Sequence, residues 1–224
     1  MKSLLLVFAS ELEAKTVFPD LDFKENKEFY PVHPSIAVAV LGVGILPFSL
    51  SLVKLFNTRL WHSVIQLGIA GAFVPSALKI GEAVIVEKDV LGDQGYQKAS
   101  AQFFSWAPPA YLSSPIQNLP PSLQSLKRVS AITVNTCTGT QALAQERYQI
   151  FHADIESMEG APLFAFAKDY GVEAFQIRAI SNFVGPRNKK EWDIASALER
   201  LKQIYRDIEA FYENATTGNL HLPQ

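Results

Sequence analysis

Cysteine is nearly absent: Cys137 stands alone in 224 residues, which excludes an internal disulfide framework and fits a reducing compartment. An excess of one charge is lacking as well. Twenty Lys and Arg face 22 Asp and Glu, a formal net charge of −2, and no basic block or stripe marks a nucleic-acid partner. The four histidines, His33, His62, His152 and His221, are scattered without metal-ligand spacing, so no metal is expected. A G-x-S-x-G elbow is missing, and no His lies in a recognisable motif with Cys137, which argues against a Ser or Cys nucleophile. The G-x-G-x-x-G fingerprint is incomplete, so no nicotinamide or flavin cofactor is expected. Only the short apolar run Leu4 to Ala9 precedes Glu11, less than the roughly 7 to 15 residues of a signal-peptide core. The uncharged stretch 34–53 is as long as a membrane span, but Gly42, Gly44 and Pro47 divide it into a strand, a turn and a helix start. These absences together describe a cytoplasmic protein without a membrane or nucleic-acid partner.

What is present is an ordinary apolar fraction, 48%, with 19% charged residues. That suffices for one sizeable α/β core, read as a single domain over 1–213 with a polar tail over 214–224. Leu4 to Ala9 reads as a buried strand, and Ser10 caps a helix carrying Glu11 and Glu13 in its first turn. Phe23 to His33 reads as an edge strand pair. Ile36 to Leu41 and Ser63 to Leu67 are further buried strands, each running into a glycine turn, Gly42-Val-Gly44 and Gly68-Ile-Ala-Gly71. Such turns let backbone N–H groups approach a ligand closely, which makes Gly44, Ala70 and Gly71 candidate substrate contacts. Ile80 to Val90 and Val129 to Val134 are strands, and 96–122 is a long surface excursion without periodicity.

The organising stretch runs from Asp154 to Trp192. Glu156 and Glu159 stand where an extended run gives way to a helix, with Pro162 in its first turn and Gly171 just past its end. A strand from Glu173 to Ile180 then ends at Ser181 and Asn182. Polar residues at strand ends are where open α/β sheets bind ligands. An amphipathic helix from about Lys190 to Glu213 closes the chain.

Several pieces in this order resemble the nucleoside phosphorylase and nucleosidase superfamily: Ala9-Ser-Glu-Leu-Glu13, Gly42-Val-Gly44, Gly68-Ile-Ala-Gly71 with Leu78-Lys-Ile-Gly-Glu82, Ser157-Met-Glu-Gly160, and Arg178-Ala-Ile-Ser-Asn182. Within it, the chain looks most like the futalosine hydrolase branch. The carriers are Val134-Asn-Thr-Cys-Thr-Gly139, Glu156-Ser-Met-Glu-Gly160 and Ser181-Asn-Phe-Val-Gly185 followed by Arg187. The resemblance implies a three-layer α/β sandwich whose central mixed sheet is partly barrel-like. It also implies a homo-oligomer and hydrolysis of the N-ribosidic bond of futalosine, a menaquinone-pathway nucleoside, to hypoxanthine and dehypoxanthine futalosine.

By the same resemblance Glu13 is the general base that activates water, Glu159 accepts from the ribose hydroxyls, and Met158 lies against the sugar, unless it is core packing. Asn182, with Ser181 beside it, stands where adenine-releasing nucleosidases carry Asp; an amide can donate to a 6-oxo group, which points to hypoxanthine, unless Asn182 merely caps the strand end. Gln66 and Ile69 fall where related phosphorylases carry Arg and Ser, so neither can hold phosphate by charge. Thr138 belongs to a loop expected near the purine. Arg178 either pairs with a carboxylate near the water, such as Glu13, or is a structural ion pair. Arg187 is a candidate for the substrate's aromatic carboxylate, or part of a solvated basic turn. The alternatives are an adenine-type nucleosidase, a purine phosphorylase, or a non-catalytic nucleoside-binding protein.

Overall fold

The computed structural model describes residues 3–23, 27–99, 103–106 and 110–216. Strand β1 (Leu4–Phe8) is buried at every position, as its unbroken apolar run requires. It lies parallel between β3 (Ile36–Val40) and β4 (Ser63–Ala72), and β2 (Tyr30–His33) covers the far edge antiparallel to β3. On its other side β4 pairs in parallel with β11 (Glu173–Phe183), which runs antiparallel to β5 (Ala83–Leu91). Strand β5 pairs with β9 (Lys127–Thr133), and β9 with β10 (Ile155–Ser157). Ile155 and Glu156 then meet Ala72 and Gly71 of β4, closing a ring. The centre is thus a five-stranded barrel, β4-β11-β5-β9-β10, with β1, β3 and β2 as an open wing.

Helices cover both faces. Leu4, Leu6 and Phe8 point toward α1 (Glu11–Val17) and α6 (Ile194–Thr216), joining Ala14, Leu201 and Ile204. Leu5 and Val7 point the other way, onto Phe48 and Leu52 of α2 (Ile45–Thr58) and Leu163 and Phe164 of α5 (Gly160–Tyr170). The period-two alternation of one strand therefore builds two cores and three layers. A short α3 (Pro121–Gln124) and α4 (Gln141–Phe151) complete the set of α-helices among the described residues.

Several boundaries differ from the sequence reading, each for a physical reason. Gly68-Ile-Ala-Gly71 is the continuous upper half of β4 rather than a turn, and neither glycine has positive φ. They are there for space: a Cβ on Gly68 would fall 2.5 Å from Arg178 Nη1, and one on Gly71 3.1 Å from Asn182 Nδ2. Gly42 and Gly44 do form the expected turn, at φ 98° and 93°, conformations that cost glycine little. Within Phe23 to His33 one strand forms, not a pair, with 24–26 outside the described residues. The excursion over 96–122 holds a hairpin of β6 (Gly95–Gln97) and β7 (Phe103–Ser105), and β8 (Tyr111–Leu112) adds to β5. Helix α6 starts at Ile194, not Lys190, because the Asp193 carboxylate accepts from Ser196 N–H at 2.9 Å and fixes the start there. It continues to Thr216, so of the expected tail 217–224 lies outside the described residues. No described helix is long and apolar enough to cross a membrane.

Candidate active site

The parallel strands β1, β3, β4 and β11 all end at one side of the sheet, and there a cavity of about 260 Å³ opens. Glu13, Ile69, Met158, Glu159 and Asn182, scattered over the sequence, all line it. Such a crevice is the expected ligand position in an α/β sheet.

Glu13 owes its placement to helix capping. Ser10 Oγ accepts from Glu13 N–H at 3.3 Å, while Glu13 Oε2 accepts from Ser10 N–H at 3.0 Å and from its hydroxyl at 2.8 Å. This capping box turns the carboxylate back over the end of β1, where Oε1 accepts from Ile69 N–H at 3.0 Å. The carboxylate is buried yet borders the cavity.

Glu159 is buried where β10 gives way to α5, and its Oε1 accepts from Gly44 N–H at 2.9 Å. Burial pushes its carboxyl above the usual range, while the Arg178 guanidinium and the Gly44 N–H oppose that rise. Gly44 itself does not line the cavity; its contribution is this N–H. Met158 is half-buried on the cavity wall.

At the other end Asn182 Oδ1 accepts from Ser181 Oγ at 2.7 Å, and Nδ2 donates to the Phe183 carbonyl at 3.0 Å. One amide N–H and one lone pair remain. Ala70, Gly71 and Ser181 also border this part, as does Thr138. Thr138 is fixed by Glu156, whose Oε1 accepts from its N–H at 2.7 Å and Oε2 from its hydroxyl at 2.6 Å. Arg147 of α4 donates to Glu156 Oε2 and to Thr138 Oγ1, both at 2.8 Å, and to the Thr136 carbonyl at 3.0 Å. This buried pair was not legible in the sequence: Arg147 sits on a predominantly polar helix, and only the fold brings it to Glu156.

Arg178 does not line the cavity. It is fully buried inside the barrel, its Nη2 donates to Gln176 Oε1 at 3.3 Å, and its Nε has no partner. It makes no direct ion pair among the described residues, so neither expected pairing forms; its charge acts at longer range on Asp89 and Glu159. Gln66 shares that interior, and both its amide atoms are without a partner among the described residues. Asp89 accepts from Thr133 Oγ1 at 2.9 Å and Gln176 Nε2 at 3.3 Å, and burial pushes its carboxyl up to about 6. Arg187 is exposed at the cavity rim with its guanidinium 5.4 Å from the Trp192 ring centre. Trp192, also in the lining, went unnoticed in the sequence although an aromatic beside a basic turn was its signal. Among the described residues no group of three His, Cys, Asp or Glu could hold a metal ion.

The phosphorylase superfamily matches residues 32–215 of this chain. The chain belongs to that superfamily. It is 39% identical over 88 residues to a futalosine hydrolase of Acidothermus cellulolyticus, covering 39% of this chain and 36% of that protein. It is 32% identical over 157 residues to a futalosine hydrolase of Streptomyces coelicolor, covering 64% and 63%. The matches thus span less than two thirds of either relative. The structure of a futalosine hydrolase of Helicobacter pylori superposes with a TM-score of 0.76 at 16% identity, covering 94% of this chain and 98% of that one. The phosphorylase-superfamily fold, a closed barrel with extra strands between helix layers, agrees with the architecture read from the sequence.

Proposed function

We propose that this chain hydrolyses the N-ribosidic bond of futalosine, releasing hypoxanthine and dehypoxanthine futalosine in menaquinone biosynthesis. The reading is carried by two buried carboxylates, Glu13 and Glu159, that converge with Met158 and Asn182 on one cavity. The relatives named futalosine hydrolase support it. Cleaving a purine riboside builds positive charge on the sugar and negative charge on the base, so it needs an activated water, held hydroxyls and a proton route to the purine. Glu13, its oxygens already oriented by Ser10 and Ile69, takes the proton of the attacking water. Glu159 accepts from the ribose hydroxyls, with Met158 against the sugar. Asn182 uses its free N–H for the 6-oxo group and its remaining lone pair for the protonated ring nitrogen.

Water rather than phosphate is the nucleophile in this scheme. Gln66 is buried in the barrel and Ile69 is apolar, and among the described lining residues Arg187 is the one fixed cation. Arg187, stacked near Trp192, serves the substrate's aromatic carboxylate instead. Exposed Leu12, Val43, Leu46 and Leu50 lie on or beside the first turns of α1 and α2, and we read this apolar patch as covered by a second copy in a cytosolic homo-oligomer; light scattering at micromolar concentration tests that. The central experiment is chromatography of the base released from futalosine, inosine and methylthioadenosine, each with and without phosphate. Futalosine cleaved independently of phosphate is expected. Adenine release, a phosphate requirement, or binding without cleavage would return the chain to a nucleosidase of other specificity, a phosphorylase, or a binding protein.

A further inference from the structure

Gly71 is flanked by two polar side chains that its own lack of a side chain leaves accessible. In the barrel it is registered against Glu156 of β10 on one side and Asn182 of β11 on the other. Registered partners in neighbouring strands point to the same face, and both side chains line the cavity. Two strand spacings, about 9 to 10 Å, separate their backbones. The floor between them is bare backbone: a Cβ on Gly71 would already press on Asn182 Nδ2 at 3.1 Å and Val184 at 3.0 Å. The result is a slot with one wall ending in an amide and the other in a carboxylate.

The hydrogen bonds already made leave specific valences. A carboxylate offers about four lone-pair positions. Glu156 spends three of them, on Thr138 N–H, Thr138 Oγ1–H and Arg147 Nη1. The fourth, on Oε1, has no partner among the described residues. Asn182 retains one N–H donor after bonding to the Phe183 carbonyl. The slot therefore presents a donor on one wall and an acceptor on the other. A 6-oxopurine presents the complement on adjacent positions, an acceptor at O6 and a donor at N1–H. A 6-aminopurine presents the reverse.

We propose that Glu156, held rigid by Arg147 and Thr138, is a second base-reading residue that accepts the N1–H of a 6-oxopurine while Asn182 donates to O6. This deepens the proposed reaction and rests on it. Glu156 reads the base and is not a catalytic residue; Arg147 acts through it and is a positioning residue. Discrimination comes from mismatch: with a 6-aminopurine, a buried carboxylate lone pair faces the lone pair of N1, and unmatched buried polar groups penalise the wrong ligand strongly.

The test needs no turnover. Hypoxanthine, 1-methylhypoxanthine and adenine are titrated calorimetrically into the full chain, then into Glu156→Gln and the double variant Glu156→Gln/Arg147→Gln, which removes the guanidinium the single change would leave unpaired. The wild type should bind hypoxanthine at least about tenfold more tightly than either other base, the loss expected for one hydrogen bond to a charged group. The double variant, with its melting transition retained, should lose most of that preference. Equal affinity of the wild type for hypoxanthine and 1-methylhypoxanthine would overturn the proposal whether or not the variants fold, and so would a folded double variant that binds both unmethylated bases equally less well. The two readings fail separately. Hypoxanthine preference without futalosine cleavage removes the reaction and keeps the slot, whereas cleavage without sensitivity at N1 keeps the reaction and removes Glu156 as reader.

Discussion

Asp89 carries a proton-linked cost that can be measured. It is enclosed in the barrel among Thr133, Gln176 and Arg178, and burial outweighs those partners, raising its carboxyl from 3.8 to about 6. A carboxyl raised in the folded state binds its proton more tightly there than in the unfolded chain. Its contribution to stability is therefore complete below pH 3.8 and is lost as pH rises through about 6. A shift of this size corresponds to about 3 kcal/mol, and in a chain of this length that moves Tm by about 6 to 12 °C. Asp89→Asn keeps the shape and the bond from Thr133 and removes the titration. Melting both proteins between pH 4 and 7.5 at constant ionic strength isolates the effect, since all other groups titrate alike in both. The offset at one pH includes the altered bonding to Gln176 and Arg178, so the slope is the prediction: about 2.4 kcal/mol of the linkage falls between pH 4 and 7.5, and Tm of the variant minus that of the wild type should rise by about 5 to 10 °C over this range. A difference that stays flat within about 2 °C would refute the reasoning.

Three further outcomes follow from the geometry. Glu13→Gln should lower kcat for base release by about 10²- to 10⁴-fold with binding retained; both oxygens accept backbone N–H groups, from Ser10 and Ile69, so the amide must also face a donor and cost about 1 to 3 kcal/mol of stability in a melt. Arg187→Ala should raise KM for futalosine about tenfold, the loss of a charged hydrogen bond, and leave KM for inosine unchanged; equal effects on both would remove the carboxylate role. Gly160→Ala should fail to accumulate as folded protein or melt far lower, because its Cβ would lie 2.1 Å from Asp89 Oδ2 and 2.2 Å from Gln176 Oε1, both held in a packed interior; an unchanged Tm would contradict the enclosure described for Asp89.

The sequence by itself determined the local grammar. The run Leu4 to Phe8 had to be a strand buried on both faces, Ser10 with Glu13 had to start a helix, and Gly42, Gly44 and Gly171 had to stand where φ is positive, since these outcomes rest on neighbours a few residues apart. It also placed Glu13, Met158, Glu159 and Asn182 as site candidates, through the resemblance of the short motifs that carry them, which can be read without any tertiary contact. Tertiary structure decided what distance along the chain conceals. Whether Gly68 and Gly71 made a turn or a strand depended on β11 and β10 arriving to pair with this half of β4. Whether Arg178 reached the cavity depended on barrel closure, which placed it inside with Asp89 and Gln176. The pairing of Arg147 with Glu156, nine residues away on a different element, came only when α4 and β10 packed together, because a buried ion pair is defined by the surroundings that exclude water from it and not by either residue alone.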